Sequence, residues 1–242
     1  MLIRRITTAV RAMLRVTFVA LMLLGARSAH GQIHYWPGQQ NTLDAAGNAD
    51  CSPPSGAAAA CFATGRYAGS YAFEFGSNGQ CAPSLVCSGA PLDFGTSDFM
   101  VSFAIRTSQT GTATLLTNRS QSCPNNDKFW RIVLSGGTLW PEFDGGTDGT
   151  NYAMWNATGV SIADDAWHDV TLVRKAGLPH LYIDGVERVL SLVSGVTVPP
   201  AADVSNGNPG LIGTSACTGL VTWFGLEVPF VGLLDEIKVF GN

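Results

Sequence analysis

Residues 166–174 read AWHDVTLVR and residues 181–185 read LYIDG, and these two stretches decide the fold. The first is rich in strand-forming residues, and in the second Asp184-Gly185 separates an apolar run from another at Val186–Leu190. Asp-Gly between two such runs is a strong hairpin signal, because both residues tolerate the positive φ that a tight turn requires. The two stretches therefore predict antiparallel strands.

Short apolar runs of the same kind continue along the chain, punctuated by 28 glycines and 12 prolines. Alternate residues from Phe99 to Ile105 are large and apolar, a period of two that places one side of a strand in a core. Gly136-Gly137 separates two more apolar runs and predicts a second hairpin. Further strands are predicted at Lys128–Leu134, Thr138–Phe143, Trp167–Arg174, His180–Ile183 and Gly232–Phe240. Many antiparallel strands joined by tight turns must close into a barrel or stack as two sheets, so the sequence predicts an all-β fold.

The first 31 residues have the pattern of a secretory signal. Arginines at positions 4, 5, 11 and 15 precede an uncharged apolar run at residues 16–24, which is too short for a membrane-spanning helix of about 20 residues. The small residues Ala29 and Gly31 predict cleavage after Gly31, with Ala26 as an alternative site. We expect residues 1–31 to be a signal peptide, residues 32–242 to form one domain, and the protein to be secreted or periplasmic, with or without attachment to the cell surface.

The charge balance disfavours nucleic acid and anionic membrane as partners. Residues 1–31 contain five of the 14 basic residues and no acidic ones, which leaves nine Lys and Arg against 18 Asp and Glu. Affinity for phosphate backbones depends on clusters of Lys and Arg. We therefore expect a glycan or an extracellular protein as partner, and the sequence leaves the oligomeric state open.

Six cysteines in an exported chain predict three disulfides, because oxidising compartments preserve such bonds. The cysteines form no CxxC pair and show no zinc-finger spacing, so the sequence does not favour a metal site. Six cysteines allow 15 pairings, between which the sequence does not choose. We predict the pairs Cys51–Cys61, Cys81–Cys87 and Cys123–Cys217.

Taken together, the motifs resemble the laminin G-like jelly rolls of the concanavalin A-like lectin and glucanase superfamily. The two opening stretches are similar to the family pattern W-H-x-V-x-x-V-R … L-Y-V-D-G, and residues 230–240 are similar to its closing F-x-G-x-I-D-E-V-x-I-Y. Other matching segments are Tyr35-Trp36-Pro37, Leu43–Asn48, Gly69–Gly76, Asp98–Phe103 and Leu211-Ile212-Gly213. The resemblance implies an antiparallel jelly-roll sandwich of two sheets. It also implies that Trp167 fills the core and that His168 is a strand residue rather than a catalytic one.

The resemblance further implies a structural calcium ion near the closing strand. Asp235 occupies the position from which family members supply a carboxylate, with Asp44 as a weaker second ligand. Calcium requires six to eight oxygen ligands, so backbone carbonyls and water would complete the shell. The alternative is a carboxylate that accepts hydrogen bonds from backbone amides or pairs with Lys238.

Ligand-binding candidates are flat aromatic side chains, rim carboxylates and two arginines. Of the tryptophans at 130, 140, 155 and 223, we expect Trp155 and Trp140 to be the exposed ones that stack on sugar rings, although most strand aromatics belong to a core. The arginines are able to bind carboxylates or sulfates of an acidic glycan, the alternative being an ordinary surface salt bridge. The predicted ligand-binding residues are Trp155, Trp140, Tyr152, Asp144, Asp148, Arg119 and Arg131.

The sequence does not contain the carboxylate motif of hydrolases with this fold. Such enzymes place two or three carboxylates on one strand as E-x-D-x-x-E, whereas here Glu142 and Asp144 are followed directly by glycines. We therefore predict a non-catalytic, lectin-like carbohydrate-binding domain. The alternatives are an extracellular protein-interaction or matrix-adhesion domain and a cryptic glycoside hydrolase or polysaccharide lyase.

Overall fold

The structure, a computed structural model, describes residues 31–76, 79–119, 123, 128–146, 151–195 and 202–241. Within these ranges the chain forms strands and turns without a helix. The signal-peptide prediction concerns residues that lie almost wholly outside them, and it stays a prediction.

Two eight-stranded antiparallel sheets stack on each other, which confirms the predicted all-β jelly-roll sandwich. The first sheet contains β1 (Gly31–Trp36), β3 (Cys61–Thr64), β4 (Tyr71–Phe75), β6 (Phe99–Arg106), β11 (Trp167–Lys175), β12 (Leu178–Ile183), β13 (Val186–Arg188) and β18 (Gly232–Gly241). The second sheet contains β2 (Cys51–Ser52), β5 (Leu85–Cys87), β7 (Ala113–Thr117), β8 (Phe129–Ser135), β9 (Thr138–Asp144), β10 (Tyr152–Ala157), β14 (Leu190–Gly195) and β15 (Gly210–Ile212). A separate hairpin is formed by β16 (Val221–Thr222) and β17 (Gly225–Leu226).

The order of strands places the chain termini of the domain side by side. The first sheet runs β13-β12-β11-β6-β18-β4-β3, and β1 pairs with the second half of β18, where Trp36 lies opposite Ile237. The second sheet runs β14-β10-β9-β8-β7-β15-β5-β2. The strand predicted at Phe99–Ile105 and the five further predicted strands are all present, within a few residues of their predicted bounds.

The core lies between the sheets and follows the predicted period of two. In β6 the alternate residues Phe99 to Ile105 are at most 3% exposed. Phe99 stacks on Phe94 with ring centroids 4.0 Å apart and contacts Trp130 at 5.0 Å. Burying each such side chain contributes about 1.5–3 kcal/mol to stability, so this cluster is a main source of cohesion between the layers.

Tryptophans other than Trp167 fill the core. Trp36 and Trp130 are fully buried and donate their indole N–H groups to the carbonyls of Ala49 and Leu92, at 2.9 and 2.7 Å. The prediction that Trp167 fills the core is wrong. Because Val170 and Leu172 point inward from β11, the side chain of Trp167 belongs to the opposite face, and it is half-buried there.

Both predicted hairpins form with the expected backbone. Gly136 and Gly137 have φ of 61° and 77°, and Asp184 and Gly185 have φ of 55° and 74°. Positive φ at both central residues is the geometry of the tight turn that matches the twist of antiparallel strands. Both hairpin predictions are therefore confirmed.

Two of the three predicted disulfides are wrong. The bonds are Cys51–Cys87, Cys61–Cys81 and Cys123–Cys217, so that the last pair alone is confirmed. Cys51 in β2 lies directly opposite Cys87 in β5 in the second sheet, whereas Cys61 belongs to β3 in the first sheet. Closeness in sequence failed as a guide because neighbouring segments enter different layers.

Candidate ligand-binding cleft

A cleft of about 280 Å³ opens on the face of the second sheet that points away from the core. Side chains on β8, β9 and β10 alternate, with Trp130, Phe143 and Ala153 directed into the core. The residues between them therefore form the floor of the cleft. The floor consists of Phe129, Arg131, Glu142, Asp144 and Tyr152.

Strand register brings these floor residues together in two rows. Asp144 on β9 lies between Phe129 on β8 and Tyr152 on β10. In the adjoining row, Arg131 lies opposite Glu142. Four of the seven predicted ligand-binding residues, Arg119, Arg131, Asp144 and Tyr152, thus line one cleft, and Asp148 lies outside the described residues.

The β16–β17 hairpin forms the wall of the cleft. Its two-residue turn is Trp223-Phe224, and Trp223 is 71% exposed while also lining the cleft. Cys217, in the loop that leads into the hairpin, is bonded to Cys123, and both cysteines line the cleft. A flat aromatic surface is therefore held beside a polar floor.

A buried charge network fastens the hairpin to the floor. Arg131 Nε donates to Glu142 Oε2, and Arg131 Nη1 donates to Glu227 Oε2 at 2.9 Å. Glu227, at the base of the hairpin, is fully buried and also accepts from Thr114 Oγ1 at 2.8 Å and from Ser215 Oγ. Burial alone would lower the pKa of Arg131, but Glu142 and Glu227 raise it above its ordinary value, so the guanidinium stays charged.

Arg119 and Tyr152 shape the rest of the floor. The Arg119 guanidinium lies 4.1 Å from the centroid of the Phe129 ring, a cation–π contact. Burial and the neighbouring Arg131 lower the pKa of Arg119 below its usual value. Burial and the charge of Glu142 raise the pKa of Tyr152, so its phenol remains a neutral hydrogen-bonding group.

The structure corrects the ranking of the tryptophans. Trp155 is 7% exposed and packs edge-on against Phe143 in the core, so the prediction of an exposed Trp155 is wrong. Trp140 is half-buried, donates its indole N–H to Thr138 Oγ1 at 2.9 Å, and packs edge-on against Phe224 of the hairpin. Trp140 therefore supports the hairpin, and Trp223 is the tryptophan that faces solvent.

Sequence reasoning missed three residues of the site. Phe129 and Glu227 were not singled out, and Trp223 was ranked behind two other tryptophans. The spacing along β10 indicates that Tyr152 and Trp155 do not face the same side of the sheet. The two residues are three positions apart, and a strand places such residues on opposite faces. The hairpin was harder to foresee because β16 and β17 have two residues each.

The predicted calcium ligands face hydrogen-bond donors. Asp235 is fully buried, and its carboxylate accepts from the amides of Arg66 at 2.9 Å and Glu236 at 2.8 Å. Asp44 accepts from four backbone amides. Among the described residues no three His, Cys, Asp or Glu side chains gather as a metal site would require. N–H donors do not fit a cation that requires oxygen ligands, so these contacts disfavour calcium here, and calcium at Asp235 stays a prediction.

A thermal titration tests that prediction. If Asp235 binds calcium, millimolar calcium raises the melting temperature, because an ion at 100 times its Kd adds about 2.7 kcal/mol to the free energy of unfolding. From the donors around Asp235 we expect no rise, measured by differential scanning fluorimetry with EDTA and magnesium as controls. A calcium-specific rise that disappears in Asp235→Ala would contradict this expectation and establish the site.

His168 is held by two carboxylates near the start of β11. Its Nδ1 lies 2.8 Å from Asp184 and its Nε2 lies 3.0 Å from Asp164. Burial alone would lower its pKa, but the two aspartates raise it above the ordinary value. This arrangement links the start of β11 to the β12–β13 turn and leaves both ring nitrogens of His168 engaged.

Solved structures share the fold. The binding domain of Paraclostridial Mosquitocidal Protein 1 matches with a TM-score of 0.60 and 16% identity, over 86% of this chain and 48% of that one. Domain 4 of AbnA, a GH43 extracellular arabinanase from Geobacillus stearothermophilus, was solved in complex with arabinotriose. It matches with a TM-score of 0.58 and 15% identity, over 89% of this chain and 94% of that one. The binding domain of botulinum neurotoxin serotype D matches with a TM-score of 0.56 and 15% identity, over 87% and 47%. The chain thus spans about half of the two toxin domains and nearly all of the arabinanase domain.

Sequence comparison identifies the family. No curated protein matches the chain. In the parts that the structure describes, no helix is long and apolar enough to cross a bilayer. A laminin G family model, described as the Concanavalin A-like lectin/glucanases superfamily, matches residues 78–242, which is more than half of the sequence. The chain therefore belongs to the Concanavalin A-like lectin/glucanases superfamily.

Proposed function

We propose that this chain is an exported, non-catalytic carbohydrate-binding domain whose ligand lies in the cleft between the second sheet and the β16–β17 hairpin. The observation that carries the proposal is the exposed Trp223 ring beside a floor of guanidinium, carboxylate and phenol groups. Sugars have apolar C–H faces and a rim of hydroxyls, so they bind where an aromatic plane and fixed polar groups converge.

Rigidity of the cleft supports a binding role. Glu227 joins the hairpin base to the sheet through Arg131, and the Cys123–Cys217 bond crosslinks two residues that line the cleft. A site that is already in its bound shape avoids the entropy cost of ordering upon association. The similar domain 4 of AbnA was solved with arabinotriose, which agrees with a glycan as ligand of this fold.

The carboxylates of the cleft favour binding over hydrolysis. Glu142, the residue best placed for acid–base chemistry, is 2% exposed and bonded to Arg131. A general acid must exchange its proton with the substrate and needs direct access to it. Incubation with pooled polysaccharides is expected to release no reducing sugar, and release that Glu142→Gln abolishes would establish an enzyme instead.

The decisive experiment removes the aromatic plane. Trp223→Ala is expected to weaken glycan binding at least tenfold, because truncating an aromatic anchor at the centre of a site costs about 1.4 kcal/mol or more. Binding is measured on a glycan array and then by isothermal titration calorimetry with the ligand found. Tyr67→Ala is the matched control, since Tyr67 is an exposed aromatic residue on the β3–β4 loop of the first sheet.

The outcomes separate the alternatives. An equal loss of glycan binding in Trp223→Ala and Tyr67→Ala, or unchanged binding in Trp223→Ala, would show that the glycan site is not in the cleft. Absence of binding to every glycan, together with capture of an extracellular protein by the wild type, would favour the protein-interaction alternative.

Export is a further part of the proposal. The three disulfides of the described chain are typical of proteins in oxidising compartments, which agrees with a cleaved signal peptide.

A further inference from the structure

We propose that the cleft selects uncharged sugars and rejects acidic ones, an inference that rests on the proposed function and names its ligand class. The sequence had left open that Arg119 and Arg131 bind carboxylates or sulfates. The charges around both guanidiniums disfavour an acidic ligand.

Arg131 is not available to an acidic ligand. Its side chain is 4% exposed, and it donates to Glu142 and Glu227, whose side chains are 3% and 0% exposed. A guanidinium presents its donors in a fixed planar fork, so donors directed at internal carboxylates cannot turn toward a ligand. Arg131 therefore organises the floor and the hairpin.

The charged side chains in and next to the cleft carry a net negative charge. The described lining residues include two cations, Arg119 and Arg131, and two carboxylates, Glu142 and Asp144; the fully buried Glu227, which pairs with Arg131, adds a third carboxylate. All three carboxylates act electrostatically on Arg119, whose guanidinium also lies against the Phe129 ring. An incoming anion therefore meets net negative charge in a site of reduced dielectric, where repulsion is stronger than in water.

The carboxylates of the floor cannot donate hydrogen bonds to an acidic ligand. Ionised carboxylates only accept hydrogen bonds. The carboxylate of a uronic or sialic acid and the sulfate of a sulfated sugar are acceptors too, whereas sugar hydroxyls also donate. The excess of acidic residues in the chain, 18 against 14 basic ones, adds a weaker repulsion at long range.

A glycan array with matched neutral and acidic members tests the inference on the full-length secreted chain. The array carries lactose beside sialyllactose, xylo-oligosaccharides without and with glucuronic acid, and dextran beside dextran sulfate. We expect the bound spots to be neutral, with at least tenfold weaker binding of each acidic partner at 50 mM salt. This difference in affinity between neutral and acidic partners, the affinity gap, should shrink at 500 mM salt, because the Debye length falls and the repulsion is screened.

Variants attribute the discrimination to the cleft. Asp144→Asn and Glu142→Gln each remove one negative charge from the floor, and each is expected to narrow the gap between neutral and acidic partners. Glu187→Gln, which changes an exposed carboxylate on β13 of the first sheet, should leave the gap unchanged.

Each result decides between the two proposals. Acidic spots bound as tightly as their neutral partners, with loss in Trp223→Ala, would overturn the charge selection while the carbohydrate-binding function stands. An array without any bound spot would overturn the proposed function and this inference together. A gap that persists at high salt and in both charge variants would assign the discrimination to shape and overturn the electrostatic proposal.

Discussion

Arg131→Met is expected to lower the free energy of unfolding by about 3–5 kcal/mol, the usual cost of removing one partner from a buried ion network. The methionine fills a similar volume, so the loss does not come from a cavity. It comes from Glu142 and Glu227, which are buried and would lose the guanidinium that neutralises both of them. The hairpin would lose one of its links to the floor at the same time.

Urea unfolding followed by tryptophan fluorescence measures this effect. Arg106→Met is the matched control, because Arg106 pairs with the exposed Asp165 on the surface and its loss should change stability little. Adding Glu142→Gln and Glu227→Gln to Arg131→Met should recover much of the loss, since no uncompensated charge is then buried. An Arg131→Met protein within 1 kcal/mol of the wild type would show that the network does not hold the hairpin.

Asp44→Ala is expected to destabilise the fold by about 3 kcal/mol or more. The Asp44 side chain is fully buried and accepts from the amides of Tyr35, Ala46, Gly47 and Ala49, at 2.9 to 3.1 Å, with His34 Nδ1 at 2.5 Å. Alanine would leave these donors without their acceptor. Asp44 therefore joins the β1 strand to the turn that follows it.

The pH dependence of stability provides an independent check on Asp44. Burial alone would raise its pKa, but His34 and the backbone amides lower the pKa to about 2. With an unfolded pKa of about 3.9, the linked stability is about 2.6 kcal/mol, fully present above about pH 5 and lost progressively as the pH falls through 2 toward about 1. Asp44→Ala should lack this part of the acid transition, whereas Asp165→Ala should retain it. Parallel acid-unfolding curves for wild type and Asp44→Ala would contradict the assignment.

The strands of the fold were predictable because their signal is local. A period of two between Phe99 and Ile105 and the positive-φ turn residues at 136–137 and 184–185 each depend on adjacent residues. The disulfide partners were not predictable in this way. Cys51 and Cys61 are near in sequence but belong to different sheets, and that division follows from the topology of the whole chain.

The site was predicted in part for a similar reason. Residue chemistry identified Arg119, Arg131, Asp144 and Tyr152, and strand register then placed them in one cleft. Residue type alone does not predict which aromatic side chain is exposed. Trp155 points into the core, whereas Trp223 is exposed because it lies in a short hairpin that packs on the outer face of the sheet. The role of Arg131 likewise depends on Glu227, which is 96 residues away in sequence.

The nested connectivity of two disulfides has a consequence for biogenesis. The Cys51–Cys87 bond encloses the Cys61–Cys81 bond, so the export that we propose would present Cys61 to Cys51 before Cys81 or Cys87 has followed. A bond between these first two thiols is non-native and must be exchanged before the two layers can close. The yield of native protein should therefore depend on a disulfide isomerase in the host, and a strain that only oxidises thiols should accumulate mispaired chains.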